Sequence, residues 1–270
     1  MSSPSPRTGP TIACSTVSLF PLPLQEVFPL LAETGFRGVE VMVTKDPDTQ
    51  DPERLRDLAE DHGLPIAAIH APFLLISRRV WGLDPVGKID RAIELAEQVG
   101  APLVVIHPPY RWQSAYRGWI QDGLLALAER TDVAVAVENM FPVRVRGRKV
   151  GAFHAVRTLE DLEGFEHVVL DTSHAAVAGL DLLAALEALR GRLRHVHLSD
   201  NAGKGWDSHL PLTEGVLPLD RFLDALGAAG FAGTITLEID LRRLAGDPER
   251  IRRALIANRE FCASRLPLAA

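Results

Sequence analysis

Acidic and imidazole side chains recur at one place in the sequence pattern, the ends of short apolar runs. The residues at these positions are Glu40, His70, His107, Glu138, Asp171, His197 and Glu238. Carboxylate oxygens and imidazole nitrogens bind divalent cations, and the same groups move protons as general acids and bases. The residue types therefore predict a metal centre, proton transfer, or both.

Further ligand-capable residues lie in short loops beyond these positions. His174 lies three residues after Asp171, where a turn or the first residues of a helix would fold it back over that carboxylate. Asp207 and His209 are two residues apart, so in an extended loop their side chains would point the same way. A converging set of carboxylates and imidazoles is costly to bury unless cations neutralise it. We therefore expect a divalent metal site.

An oxygen-rich subset of these residues suits a single hard ion. It comprises Glu138, Asp171, His197 and Glu238, which offer three carboxylates and one imidazole. Such a set favours Mn²⁺, Mg²⁺ or Co²⁺ and leaves positions open for hydroxyl and carbonyl oxygens of a substrate. Zinc-type ions at a second and a third position would have ligands in His70, His107, His174, Asp207 and His209.

Two residues near this group have simpler alternative explanations. Glu40 either takes a direct part in the site or caps the loop that follows its strand. His195 shares a strand face with His197 but lies one layer deeper, which favours a core histidine with satisfied hydrogen bonds.

The elements that must position these residues alternate regularly: an apolar run, a polar turn, an amphipathic stretch and then a Gly. This alternation is typical of βα units. Strands are predicted over residues 11–17, 38–43, 65–70, 102–107, 133–138, 167–171, 193–198 and 234–239. Helices are predicted over residues 24–34, 52–62, 84–99, 118–131, 158–162, 180–190, 218–229 and 248–264. Asp51, Asp84 and Asp247 each precede Pro and are predicted N-caps. The predicted C-cap glycines are Gly35, Gly63, Gly100 and Gly230.

Eight such units of about 30 to 35 residues each match an α/β fold of the (β/α)8 TIM barrel type. We predict a single barrel domain over residues 11–264, with a flexible N-terminal tail over 1–10 and a C-terminal tail over 265–270. No GxGxxG motif follows the first strand, so a dinucleotide-binding fold has no support. TIM-barrel active sites lie at the carboxyl ends of the strands, where the acidic and imidazole residues fall.

Composition narrows the class of protein further. The chain has 270 residues, of which 47% are hydrophobic and 24% charged, as in globular proteins. No apolar stretch approaches the roughly 20 residues of a membrane span, and the first ten residues lack the apolar core of a secretory signal, so a cytoplasmic location is expected. Cys14 and Cys262 lie too far apart in sequence to indicate a disulfide or zinc–thiolate framework.

The segments around the candidate ligands resemble a known superfamily. The sequences VEVMV, IHAPF, VVIHPP, VAVENM, VVLDTSHA, HVHLSDN, DSHLPLTEG and TITLEID, in order from Ile12 to Phe261, are similar to the xylose isomerase-like TIM barrel superfamily of sugar phosphate isomerases and epimerases. The resemblance implies that Glu138, Asp171, His197 and Glu238 bind one divalent ion. It also implies that Glu138 and Glu238 are the catalytic residues that face the sugar carbon whose proton moves.

The same superfamily contains endonuclease IV, an AP endonuclease with three zinc ions, and its ligand pattern is also matched. The matching residues are His70, His107, Glu138, Asp171, His174, His197, Asp207, His209 and Glu238. The N-terminal segment resembles the sugar-isomerase version instead, and the net charge of −6 argues against nucleic acid as a partner. The prediction is a metal-dependent isomerase or epimerase of a sugar, sugar phosphate or sugar acid. The alternatives are a trinuclear zinc AP endonuclease or phosphodiesterase, and a dehydratase or lyase of a cyclic polyol or keto acid.

Residues in the predicted strand-end loops indicate the substrate. The cations Arg78, Arg79, Arg111, Arg144, Arg146, Arg148, Lys149 and Lys204 favour an anionic group, although a neutral carbohydrate fits the metal site equally well. Indole rings at Trp112 and Trp206 suit stacking on a sugar face. The predicted substrate-binding residues are His70, His107, His174, Lys204, Trp112 and Trp206. Exposed barrel helices would also allow a homodimer.

Overall fold

A computed structural model describes residues 9–73, 77, 79–145, 148–151, 153–156 and 158–266, with the side chains of residues 143–151 left out. Most of both predicted tails, residues 1–8 and 267–270, lies outside the described residues. Arg78 and Arg146 of the predicted cationic group also lie outside them, as do the side chains of Arg144, Arg148 and Lys149.

Parallel strands close into a barrel, as the sequence predicts. The barrel strands are β1 (Thr11–Ser15), β2 (Gly38–Met42), β3 (Ile66–His70), β4 (Leu103–Ile106), β5 (Ala134–Glu138), β8 (Val168–Asp171), β9 (Leu193–Leu198) and β10 (Thr234–Leu237). Their order around the barrel is β1-β10-β9-β8-β5-β4-β3-β2, and every neighbouring pair is parallel. The chain is thus a single-domain (β/α)8 TIM barrel.

Helices connect the strands and cover the barrel. They are α1 (Leu24–Glu33), α2 (Pro52–Asp61), α3 (Pro85–Val99), α4 (Ser114–Ala128), α5 (Leu159–Leu162), α6 (Thr172–Ala178), α7 (Leu182–Leu189), α8 (Leu219–Ala228) and α9 (Pro248–Ala263). The predicted N-caps are confirmed, because the side chains of Asp51, Asp84 and Asp247 accept backbone N–H groups of the first turn. The predicted C-cap glycines all have positive φ.

The turn or helix start expected after Asp171 is a complete helix, α6, which Asp171 caps at the end of β8. Two other stretches differ from the predicted elements. A two-stranded antiparallel sheet, β6 (Val143–Val145) and β7 (Arg148–Gly151), occupies a stretch predicted as loop. Helix α4 begins four residues before the predicted Gly118, and its early turn contains the buried Tyr116, whose hydroxyl donates to the His107 carbonyl at 3.0 Å.

The barrel interior is apolar on one side and polar on the other. The apolar side is a small buried cluster of Ala68, Leu103, Val105, Ala136 and Val169 from β3, β4, β5 and β8. The polar side carries fully buried side chains on the remaining strands, namely Ser15, Glu40, His195 and Thr236. The larger hydrophobic core lies between the strands and the helices.

No single helix in the described ranges is long and apolar enough to cross a membrane. Helices α6 and α7 together have the length and apolar composition of a membrane span, but the chain bends by 114° between them. Buried core helices commonly have the same length and composition.

Candidate metal centre

The carboxyl ends of the barrel strands bring the predicted ligands together. His70, Glu138 and Asp171 are the last residues of β3, β5 and β8. His107 and Glu238 directly follow β4 and β10. On β9, His197 is paired in register with Asp171 on one side and with Thr236 on the other. In-register parallel pairing therefore places side chains from separate parts of the sequence at one level of the barrel.

The four-residue set predicted for one ion is assembled around His197. Its Nδ1 lies 3.0 Å from Glu138 Oε1, 3.0 Å from Glu238 Oε2 and 3.9 Å from Asp171 Oδ2. One ligand atom from each of the four residues lies within 4.8 Å of all the others. Asp171 Oδ2 is buried without a hydrogen-bond partner among the described residues. An unpartnered carboxylate oxygen aimed at this cluster is the arrangement that a divalent cation would satisfy, so the donor set fits one.

A second group of donors lies on the other side of Glu138. Nε2 of His107 is 3.0 Å from Glu138 Oε2, and Nε2 of His70 is 3.7 Å from the same oxygen. All three side chains are buried. The Glu138 carboxylate therefore lies between the four-residue set and these two imidazoles, with Oε1 facing His197 and Oε2 facing His107 and His70.

The third group is also assembled, from α6 and the loop after β9. Nε2 of His174 lies 3.3 Å from Asp207 Oδ2, and Nε2 of His209 lies 2.7 Å from the same oxygen. His174 is held over Asp171 as expected, because its backbone N–H donates to Asp171 Oδ1 at 2.7 Å. The expectation of an extended loop at His209 is wrong, since its φ is +39°. A left-handed residue, rather than strand-like alternation, brings His209 to Asp207.

Strong fields act on the titratable groups of this cluster. Burial alone would lower the pKa of His197 and His174, but the surrounding carboxylates outweigh it and raise both. Burial would also lower the pKa of His209, but the Asp207 carboxylate raises it to about 10. Burial raises the pKa of Asp171 to about 6, although nearby imidazoles act against it. The imidazoles of His174, His197 and His209 therefore carry protons at neutral pH in the metal-free protein.

These shifts predict that metal binding releases protons. A metal ligand must be the neutral imidazole, so an ion that binds His197 displaces about one proton at pH 7.5. Binding to His107 should displace none, because burial lowers the pKa of that imidazole. Isothermal titration calorimetry with Zn²⁺ in buffers of different ionisation enthalpy measures that number. A heat of binding that does not depend on the buffer would contradict the prediction.

The same shifts give the sign of the pH dependence of stability. Raised histidine pKa values stabilise the metal-free fold fully below about pH 6.5, the unfolded value. This stabilisation is lost as the pH rises through the folded value, about 10 for His209. The melting temperature of the metal-free protein should therefore fall as the pH rises from about 6.5 to about 10.

Glu40 lies inside the barrel and does not cap a loop. It is in the middle of β2, is fully buried, and places Oε2 2.7 Å from His195 Nε2 and 3.1 Å from His197 Nε2. Burial would raise the pKa of Glu40, but the two imidazoles hold it below the usual range. His195 is a buried interior histidine as predicted, but the satisfied hydrogen bonds expected for it are not formed. Its Nε2 lies 2.7 Å from Glu40 Oε2, yet neither ring nitrogen has a hydrogen-bond partner among the described residues.

The predicted aromatic and cationic contacts fall into two places on the rim. Trp112 is 63% exposed and stacks on Tyr110, with ring centroids 4.8 Å apart. Tyr110 in turn lies 4.4 Å from the ring of His154, which lies 6.1 Å from the ring of His107. Trp112 is thus the outer end of a row of rings that begins at the ligand cluster.

The second rim contact lies in the loop that also carries Asp207 and His209. Lys204 and Trp206 are both exposed, and the Lys204 ammonium lies 5.7 Å from the Trp206 ring centroid. The structure therefore brings Lys204 to Trp206.

Sequence reasoning missed several residues that support the ligands. Asn139 Oδ1 accepts from the Asp171 backbone N–H at 2.6 Å, and its Nδ2 donates to the Asp171 carbonyl. Ser173 donates to Asp207 Oδ1 at 2.6 Å. Burial lowers the pKa of His154 to about 4, so this imidazole is uncharged at neutral pH where it lines the site. The available signal was adjacency, since Asn139 directly follows Glu138 and Ser173 precedes His174.

The fold and this cluster define the class: a TIM barrel whose strand ends carry converging carboxylates and imidazoles. The chain belongs to the family described as xylose isomerase-like TIM barrel, whose model matches residues 28–260.

Relatives by sequence and by structure agree with this assignment. An uncharacterized protein of Mycobacterium leprae (strain TN) is 37% identical over 257 residues, which cover 88% of this chain and 92% of the relative. The solved structure of apo 3-keto-D-glucoside 4-epimerase from E. coli is similar with a TM-score of 0.70 and 22% identity, over 93% of this chain and 99% of that one. An AP endonuclease, family 2, from Brucella melitensis has a TM-score of 0.68 and 20% identity, over 86% and 94% of the two chains. At these identities the two structures show the shared fold.

Proposed function

We propose that the protein is a divalent-metal-dependent isomerase or epimerase of a small carbohydrate, neutral or carrying a phosphate or carboxylate. One observation carries the proposal: two glutamates from non-adjacent strands, Glu138 and Glu238, converge on the same point. Each places a carboxylate oxygen 3.0 Å from His197 Nδ1. Glu238 remains partly open to the barrel mouth, with 12% of its side chain exposed.

The residues would divide the reaction between them. A divalent ion held by Glu138, Asp171, His197 and Glu238 would polarise adjacent carbonyl and hydroxyl oxygens of a sugar and so acidify the neighbouring C–H bond. Imidazole charge lowers the pKa of Glu238 against the effect of burial, so Glu238 is ionised and suited to take that proton.

Proton return completes the reaction. Glu138 is ionised as well, because imidazole charge outweighs burial and holds its pKa well below the usual range, so it must first gain a proton. It would then return that proton to the opposite face of the same carbon in an epimerase, or to the adjacent position in an isomerase. His107 Nε2, 3.0 Å from Glu138 Oε2, offers a route by which Glu138 regains its proton. One proton leaves and one arrives, so neither an oxidant nor a reductant is needed.

Support for a carbohydrate comes from the walls of the site and from the relatives. The row of rings formed by His154, Tyr110 and Trp112 provides apolar faces of the kind that cover sugar C–H groups. His70, His107 and His174 add polar groups around the ligand cluster. A solved structure with the same fold is an epimerase of a keto-glucoside.

Solvent-deuterium exchange tests the proposed function. The metal-loaded protein is incubated in D₂O with ketoses, inososes, sugar phosphates and sugar acids, and the products are examined by NMR. We expect deuterium at the carbon next to the carbonyl in at least one isomeric product. A product with a new C=C bond would indicate the dehydratase or lyase reaction instead, and no exchange across the panel would contradict the proposal.

A trinuclear zinc phosphodiesterase is the second candidate, because the additional donor groups are also assembled. The Glu138, His70 and His107 group and the Asp207, His174 and His209 group both flank the four-residue set. This arrangement would hold three ions able to activate water and stabilise a leaving oxygen. Binding of three Zn²⁺ per chain together with cleavage of abasic-site DNA would establish this reaction in place of the isomerase.

A further inference from the structure

Glu40 is a buried acidic residue that the proposed reaction does not use. It lies on β2, and its side chain is completely buried inside the barrel. TIM-barrel interiors are ordinarily filled by branched apolar side chains, and a buried carboxylate is costly unless it is closely paired. The opposite half of this interior does follow the apolar rule, with Leu103, Val105 and Val169. An ionisable residue at Glu40 therefore needs a specific reason.

The contacts of Glu40 lead directly to the candidate metal ligand. His197 Nε2 donates a hydrogen bond to Glu40 Oε2 at 3.1 Å. The other ring nitrogen, Nδ1, lies 3.0 Å from both Glu138 and Glu238. The ring thus has its two nitrogens in different environments, one facing the interior carboxylate and one facing the ligand cluster. His195 closes the inner side, with its Nε2 2.7 Å from the same Glu40 oxygen.

We propose that Glu40 is a positioning residue that fixes the ring orientation and tautomer of His197. By accepting the Nε2 proton, Glu40 leaves the Nδ1 lone pair free and directed at the ion. A carboxylate that orients a metal-bound histidine in this way also increases the basicity of the ligand. The inference rests on the metal centre of the proposed function, and it assigns Glu40 no contact with the substrate. His195 is the second contact that holds the Glu40 carboxylate in place.

A purely structural role for Glu40 makes a different prediction. A structural ion pair would contribute to folding but would leave the tautomer of His197 undetermined. The positioning role requires that the proton stay on Nε2 whenever an ion is bound. The tautomer of His197 is thus a readout that a structural role does not affect.

The test compares Glu40→Gln with the wild type by Zn²⁺ affinity and by the imidazole ¹H–¹⁵N spectrum of the Zn²⁺-loaded protein. The glutamine amide can donate to Nε2 and so favours the proton on Nδ1, which blocks the ligand. We expect Zn²⁺ affinity to fall by about 10- to 100-fold, the range for loss of an outer-shell partner. We also expect the wild-type His197 signals to show Nε2 protonated and Nδ1 bound to zinc.

Thr236→Val is the matched control. Thr236 is equally buried, faces the same polar half of the interior, and its hydroxyl has no hydrogen-bond partner among the described residues. This near-isosteric change should leave Zn²⁺ affinity within about twofold of the wild type, because the Thr236 hydroxyl makes no hydrogen bond to His197.

The outcomes separate the inference from the function it rests on. A wild-type protein that binds no divalent ion overturns both the metal centre and the role of Glu40. Wild-type binding with unchanged affinity and tautomer in Glu40→Gln overturns only the role of Glu40. If Glu40→Gln does not fold, the wild-type spectrum decides alone, because a proton on His197 Nδ1 or zinc on Nε2 contradicts the proposal. If the wild-type protein binds zinc as predicted but exchanges deuterium into none of the sugars tested, the isomerase or epimerase reaction is overturned and Glu40 remains a positioning residue.

Discussion

Glu238→Gln should lower the rate of proton exchange by about 100- to 10,000-fold, the range for loss of a general acid or base. The amide keeps the size of the side chain and one oxygen that can face the ion, but it cannot accept a proton from carbon. Glu138→Gln should have an effect at least as large, because Glu138 also lies 3.0 Å from His107 and from His197. The measurement is the rate of deuterium incorporation into the substrate identified in the exchange screen, at saturating metal.

Metal content must be measured on the same samples, since both glutamates are also candidate ligands. Glu94→Gln is the matched control, because Glu94 is exposed on α3 and its substitution should leave the rate unchanged. If both site variants bind metal fully and retain wild-type exchange, Glu138 and Glu238 are not the proton carriers. The isomerase proposal would then lose its central chemistry.

Asp171→Asn should remove most of the stabilisation that a divalent ion gives the fold. An ion present at 1,000 times its dissociation constant stabilises the native state by about 4 kcal/mol. For a chain of this size that corresponds to about 10 °C in the melting temperature. Asp171 Oδ2 is buried and has no hydrogen-bond partner among the described residues. A bound ion would neutralise the charge of this carboxylate, so Asp171 should contribute strongly to the binding of the ion. The measurement is the melting temperature with and without Mn²⁺ or Zn²⁺.

The variant is designed to spare the metal-free fold. Asp171 caps α6 through Oδ1, which accepts from the His174 backbone N–H, and Asn caps helices about as well as Asp. The metal-free melting temperatures of variant and wild type should therefore be similar, and only the increase on adding metal should be lost. An equal increase in both proteins would show that Asp171 is not a ligand.

The barrel could be predicted from sequence because each strand and helix carries its own local signals. Asp84 followed by Pro starts α3, and Gly100 at φ +72° ends it, so both boundaries follow from backbone chemistry alone. The ends of β3, β5 and β8 were correct for the same reason, and parallel pairing then brings His70, Glu138 and Asp171 together. Residues at strand ends were therefore predictable as a cluster.

What could not be predicted depends on contacts between distant segments. The position of Glu40 beneath His197 follows from closure of the barrel, which joins residues 157 positions apart in sequence. Nothing local to β2 distinguishes an interior carboxylate from a loop cap. His209 reaches Asp207 through a positive φ that its sequence neighbours do not indicate. The β6–β7 sheet was missed although Val and Arg alternate over residues 143–145, which is a local strand signal.

The metal content of the protein, purified without added metal or chelator, tests the central claim most directly. Elemental analysis should find at least one divalent ion per chain in the wild type, and markedly less in Asp171→Asn. A single exchangeable ion would agree with the isomerase or epimerase, whereas three zinc ions would favour the phosphodiesterase. A wild-type protein that contains no divalent ion, and takes up none from Mn²⁺, Co²⁺, Mg²⁺ or Zn²⁺ solutions, would contradict the existence of a metal centre at the barrel mouth.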